Sequence, residues 1–183
     1  MSVIRQMISS IVELLKNYYL KVHIKNGLTV GKNVFISHDV FIDPGFPWLI
    51  SIGDDCTITS GVMLLAHDAT TKKHLGYTKI GKINIGNKTF VGARSIILPD
   101  ITIGENVIIA AGSVVTKDIP SNVLIAGNPA RIICSTTDYI EKHRKNIAIR
   151  PIYKEGWTIN TGISVENKES MKNALTDGIG YVI

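Results

Sequence analysis

Large rings are scarce in this chain. Aromatic residues make up 7% of its 183 positions, too few for the thick core of a layered domain, whereas abundant Ile, Val and Gly suit a narrow solenoid. Cysteine is nearly absent. Cys56 and Cys134 form neither a disulfide framework nor a CxxC metal pair, and a reduced cytoplasmic setting is the simplest expectation. No apolar run is long enough to span a bilayer: MSVIRQMISSIVELLKNYYL is interrupted by Arg5, Glu13 and Lys16 and has no small-residue cleavage site of a secretory signal. A basic stripe interleaved with aromatics is also missing. The formal charge of +5 therefore does not point to nucleic acid; a small anionic ligand or plain solubility accounts for it. The length fits one domain with a substantial core, alone or with appendages.

What the chain does have is a ruler. Residues 85–120 read IGNKTF, VGARSI, ILPDIT, IGENVI, IAAGSV, VTKDIP, with Ile or Val opening every block of six: Ile85, Val91, Ile97, Ile103, Ile109 and Val115. The fifth positions, Thr89, Ser95, Ile101, Val107, Ser113 and Ile119, are small or branched. A hexapeptide repeat of this kind predicts a parallel β-helix. Each block supplies a short strand and a tight corner, and three faces make a coil of about 18 residues that stacks at the usual strand spacing of about 4.8 Å. Gly86-Asn87, Gly104-Glu105-Asn106 and Gly53-Asp54-Asp55 supply corner residues that accept left-handed angles cheaply. The spacing is silent on the hand of the coil.

The count extends backwards through Val30, Ile36 and Ile42, then Ile52, Ile58 and Leu64. The step of ten between these runs implies a bulge within DPGFPWLIS, and the step of 21 from Leu64 to Ile85 requires a loop, 69–82, that leaves the solenoid. Function concentrates in such loops. Ahead of the repeats, Ile4, Met7, Ile8, Ile11, Leu14, Leu15 and Tyr18 fall at helical spacing. They predict a helix over 3–20 in an N-terminal segment 1–26, packed on the end or side of the solenoid; contact with a membrane surface is the less favoured alternative. After a last coil closed by Pro129, residues 136–149 read as a helix, and the rest of 136–183 is an arm without a repeat.

VTKDIPSNVLIAGNPARII, together with the hexapeptides before it and a His ahead of the extruded loop, resembles the C-terminal half of the galactoside and maltose acetyltransferases and the related polysaccharide O-acetyltransferases. The resemblance covers residues 30–133. It implies an all-β fold, a left-handed parallel β-helix over 27–135, a trimer, and acetyl-CoA lying in the groove between neighbouring prisms. Three features depart from the family. The segment before the repeats is shorter than the cap of the galactoside enzymes, Cys134 stands where a cation is expected after GNPAR, and the tail has no counterpart.

The resemblance places the catalytic base at His67, in LLAHD. A sugar hydroxyl is a poor nucleophile until its proton is removed, and an imidazole is suited to that work near neutral pH. Asp68 next door is a candidate to orient it, as in dyads, and is the less favoured one because neighbours on a strand point to opposite faces. Asp43 matches a position that holds the acceptor sugar, or is an ordinary Asp-Pro turn. Trp48 reads as an apolar platform for a sugar or, more plainly, as packing for the bulge. His74 is a loop residue that can reach substrate, and Phe90 matches an aromatic near the acceptor pocket. Ala93 and Ala111 match the small residues lining the pantetheine groove, with the amide near Ala93 as an oxyanion donor. Thr116, Lys117 and Arg131 match the residues around the nucleotide phosphates.

The histidines also raise a zinc reading, but no third ligand joins His67 and His74; the expectation is no metal. The reading is an acetyl-CoA-dependent O-acetyltransferase acting on a sugar or polysaccharide precursor. Its partners are a glycan acceptor and two further copies of the chain, without nucleic acid. No Cys or Ser stands in a nucleophile motif, so transfer is expected without an acyl-enzyme. The alternatives are N-acetylation of a nucleotide-linked amino sugar, and a non-catalytic β-helix used as an interaction module.

Overall fold

The computed structural model describes residues 18–183. In it the ruler becomes coils. One face carries Thr29–Val30, Ile50–Ile52, Ile83–Ile85 and Ile101–Ile103. The second carries Phe35–Ile36, Thr57–Ile58, Phe90–Val91, Ile108–Ile109 and Val123–Gly127, and the third Phe41–Ile42, Met63–Leu64, Ile96–Ile97 and Val114–Val115. Neighbours within these stacks run parallel, in a register that sets Ile36, Ile58, Val91, Ile109 and Ile125 over one another. Every opener of the ruler points inward and is buried, and so is every fifth position. Three of those fifth positions are hydroxyls, and each is satisfied: Thr89 donates to the carbonyl of Gly104, and Ser95 and Ser113 to that of Ala110.

The corners differ from expectation in one respect. Gly53, Gly86 and Gly104 do not hold the left-handed angles; Asp55, Lys88 and Asn106 do, at φ near 57°, 57° and 55°. Each donates its N–H to the coil below, to the carbonyls of Lys32, Asp54 and Asn87 respectively. The glycines serve close approach instead. A Cβ on Gly86 would sit 2.6 Å from the backbone of Gly104, so stacking at strand spacing requires its absence.

Two excursions leave the coils. The bulge after Ile42 contains a 3₁₀ turn, Pro47–Leu49. The larger excursion is more ordered than a plain loop: His67–Asp68 pairs antiparallel with Lys79–Ile80. Its tip is a 3₁₀ turn, Ala69–Thr71, followed by one helical turn, Lys72–Leu75, which Gly76 ends at φ 78°. At the far end, Val123–Gly127 is parallel to its neighbour, but the chain then reverses and Ala130–Ser135 returns antiparallel. At the near end a helix over 18–25 is anchored to the first coil. Tyr19 Oη donates to the Ile42 carbonyl and accepts from its N–H, and Leu20 packs on the core. The part of the expected stripe up to residue 17 lies outside the described residues.

The chain divides into two compact units, 1–136 and 137–183. The second was expected to be a helix and an arm, but it has structure of its own. The helix Thr136–Ile147 leads into it, Ile152–Tyr153 pairs parallel with Tyr181–Val182, and Val165–Ala174 is helical. Tyr153 is buried with its ring 4.8 Å from that of Trp157, and His143 Nδ1 meets Tyr181 Oη at 3.0 Å. Among the described residues no helix is long and apolar enough to cross a membrane.

Candidate active site

The imidazole of His67 stands where the extruded hairpin leaves the third face, with its side chain 39% exposed. Its Nδ1 lies 2.5 Å from Oδ2 of Asp43, whose side chain is fully buried. The other carboxylate oxygen accepts from the N–H of Gly45 at 3.0 Å. A carboxylate only accepts, so Nδ1 carries a proton, and in the neutral ring Nε2 presents its lone pair. Nε2 makes no hydrogen bond among the described residues.

Of the two readings of Asp43, this arrangement fits the turn, made by the Gly45 N–H, and not the sugar contact. With no exposed surface and both oxygens engaged, its carboxylate has no freedom to meet an acceptor sugar; it holds the imidazole. The pairing has a simple origin. Ile42 and Leu64 are register partners on the third face, and Asp43 follows one while His67 lies just beyond the other. Coil counting puts the two positions on neighbouring coils, although 24 residues separate them in sequence; that their side chains meet is a result of the fold.

Phe46, which carried no expectation, closes one side of the imidazole with ring centroids 5.5 Å apart. Trp48 meets Phe46 edge-on at 5.6 Å but leaves its own side chain largely open, at 58% exposed. Its Cβ approaches Gly27, so the backbone of Trp48 packs the bulge while the ring faces solvent. An open groove runs from His67 over Phe41, Met63 and Leu98, and onward past Ile80, Asp100 and Thr116.

Asp68 turns away from this pair. It accepts from the Thr70 N–H at 2.8 Å and forms an ion pair with Lys79 at 2.7 Å. The Lys79 ammonium, with the Thr70 donors, lowers its carboxyl to about 2. It thus braces the hairpin rather than the imidazole.

The remaining expected site residues fall at several corners. Thr116 shares the groove that begins at His67. Lys117 and Arg131 line a further depression with Pro120 and Ile132, and neither is ion-paired within the described residues. Ala93 and Ala111 stack at a different corner, the one following the second face, where Gly112 donates to the Ala93 carbonyl. Phe90 projects outward from that second face, and His74 is exposed on the hairpin tip. One copy of the chain therefore gathers His67, Asp43 and Thr116 along one corner, and does not bring Ala93, Ala111 or Phe90 to it.

Among the described residues no group of three His, Cys, Asp or Glu side chains converges to hold a metal. Both cysteines are free. Burial pushes the Cys56 thiol up, and its Sγ donates to the Gly86 carbonyl, which suits a structural thiol and not a nucleophile.

Known proteins share this architecture. Residues 82–117 match the bacterial transferase hexapeptide family (six repeats), and 50–66 match the hexapeptide repeat of succinyl-transferase. Protein CapG of Staphylococcus aureus is 42% identical over 127 residues, spanning 67% of this chain and 74% of that one. The galactoside O-acetyltransferase of Escherichia coli K12 is 35% identical over 136 residues, spanning 63% and 66%. A hexapeptide-repeat acetyltransferase of Vibrio cholerae, solved with acetyl coenzyme A bound, superposes with a TM-score of 0.53 at 29% identity. That superposition covers 60% of each chain. A ruler of six, three parallel faces and these relatives converge: the chain belongs to the hexapeptide-repeat acetyltransferases and has their left-handed parallel β-helix.

Proposed function

We propose that the chain transfers an acetyl group from acetyl-CoA to a hydroxyl of a sugar or polysaccharide precursor, by direct attack. The observation that carries this reading is the half-exposed imidazole of His67, held through Nδ1 by the buried Asp43 carboxylate. Nε2 takes the hydroxyl proton as the acceptor oxygen bonds to the thioester carbonyl carbon. The C–S bond then breaks, and the proton passes from His67 to the departing thiolate. Asp43 keeps the ring in the base tautomer and offsets the positive charge it gains. Trp48 and Phe46 offer the apolar face of a sugar a surface beside the base, and His74 and Phe90 are further candidates for acceptor contact.

Acetyl-CoA is the donor. Lys117 and Arg131, cations without ion pairs among the described residues, suit its phosphates, and Thr116 lies on the path between them and the base. Ala93 and Ala111 suit a close approach of the pantetheine arm to the backbone, and the Ala93 amide suits a developing oxyanion. Because those two alanines stand at another corner of the prism, we infer that a neighbouring copy supplies them and that the enzyme is a trimer. Two free cysteines fit a cytoplasmic setting.

The test is release of CoA thiol from acetyl-CoA in the presence of sugars. His67→Ala is expected to lower kcat by a factor of about 10²–10⁴ while acetyl-CoA binding stays within about twofold. Retention of half the activity would remove His67 from the role.

A further inference from the structure

Resting on the acetyl-transfer reading, we propose that the acceptor is an anionic saccharide, one with a carboxylate or phosphate near the reacting hydroxyl, gripped by the tip of the extruded hairpin. The charge distribution is the first observation. Residues 67–82 hold four lysines, Lys72, Lys73, Lys79 and Lys82, against Asp68: a net +3 out of the chain's +5. Lys79 is consumed by Asp68. Lys72, Lys73 and Lys82 are exposed and have no ion pair among the described residues. Asp100, a further carboxylate on the adjoining groove, leaves the local balance positive.

Placement is the second observation. The hairpin starts at the catalytic imidazole, since His67 pairs with Ile80, so these cations sit within one short loop of the base. The tip is also preorganised. Thr71 Oγ1 donates to the Tyr77 carbonyl at 2.7 Å, the Gly76 N–H returns to the Lys72 carbonyl at 2.9 Å, and Asp68 clamps the arms. A braced loop loses little freedom on binding. Tyr77 stands 78% exposed on the same tip, where its carbonyl accepts from Thr71 Oγ1. A tip that carries both exposed lysines, without ion pairs among the described residues, and an exposed aromatic ring matches a pyranose that carries negative charge.

Two probes that differ only in their carboxylates, tri-galacturonate and its fully methyl-esterified form, test this by calorimetry on the full chain at low ionic strength. The acid is expected to bind at least about tenfold tighter than the ester, a modest ratio because exposed charges are screened. Lys72→Gln with Lys73→Gln should reduce that preference to about twofold and leave CoA binding unchanged. Tyr77→Ala should weaken both probes alike. Removing the same charge elsewhere, by Lys142→Gln with Lys145→Gln, should leave the preference intact. Equal binding of acid and ester, no binding of the acid, or equal loss in the two double variants each overturns the proposal.

Vesicles of phosphatidylcholine with about 30% phosphatidylglycerol decide the competing use of such a tip. Vesicle binding that needs Lys72 and Lys73, with no discrimination between the saccharides, makes the hairpin a membrane contact and refutes the acceptor role. The transfer reading fails separately. Thiol release with neutral glycosides but no anionic preference sinks only the present proposal, whereas a retained preference without transfer to any sugar sinks only the acetyl-transfer reading.

Discussion

The two carboxylate oxygens of Asp43 are spent on His67 and Gly45, which leaves no free acceptor for the sugar that its match to the family's acceptor position suggested. That placement makes a sharp prediction. In Asp43→Asn the amide can still accept from Gly45 through Oδ1, but its NH₂ faces Nδ1 and can only donate. Nδ1 must then accept, the ring proton moves to Nε2, and the base is lost. We expect kcat to fall by about 10² or more, approaching His67→Ala, with KM for acetyl-CoA unchanged in steady-state assays. A variant with full turnover would show that the tautomer does not matter. The place of His67 at the mouth of the hairpin was legible, because a phased repeat ends three residues before it. Phe46 was not, because nothing in DPGFPW announces which ring turns toward the imidazole.

The corners and the hairpin carry the next scale. Gly86 has an ordinary backbone angle and Gly76 a left-handed one, so conformational freedom alone would make Gly76 the costlier to replace. Space reverses that order. An added methyl at Gly86 meets the backbone of the next coil, whereas nothing lies within 4 Å at Gly76. Urea denaturation should find Gly86→Ala destabilised by about 3 kcal/mol, the upper part of the overpacking range, and Gly76→Ala by about 1 kcal/mol.

The hairpin brace is an acid-sensitive element. The Asp68 carboxyl is lowered to about 2 in the fold, below the value of about 3.9 in an unfolded chain. Its contribution is therefore complete above about pH 4 and disappears as the pH falls through about 2. Exchange of the Thr70 amide should accelerate across that window, and Asp68→Asn should exchange rapidly and without that pH dependence. The Ser60 and Ser37 hydroxyls hold the Asp39 carboxyl near 2 as well, so Asp39→Asn is the control: it should leave the Thr70 profile unaltered.

For the whole molecule the consequence of three faces is that the proposed site residues fall at different corners. His67 and Thr116 lie along one corner, and Ala93 and Ala111 along another, and no rotation of side chains within a rigid prism can bring them together. Sedimentation at micromolar concentration should give a mass of about three times 20.0 kDa. Mixed trimers should test the division. A subunit carrying His67→Ala, combined with one carrying a bulky residue at Ala111, should restore some active sites that neither homotrimer has. A monomer that turns over at full rate would dispose of the shared site.

The prism was legible in the residues alone, because a period of six with inward Ile and Val has one economical outcome: each opener stacks on its counterpart a coil away. So were the interruptions of the coils, since steps of ten and 21 cannot be absorbed in a stack with fixed rise. How the interruptions are used came from the fold. The ladder of Ile42 on Leu64 sets Asp43 beside His67, an antiparallel pairing turns a loop into a braced hairpin, and the residues after Pro151, which have no period, find their order in the pairing of Ile152–Tyr153 with Tyr181–Val182. Periodicity speaks for contacts that repeat. A contact made once, between residues distant in sequence, depends on the folded geometry.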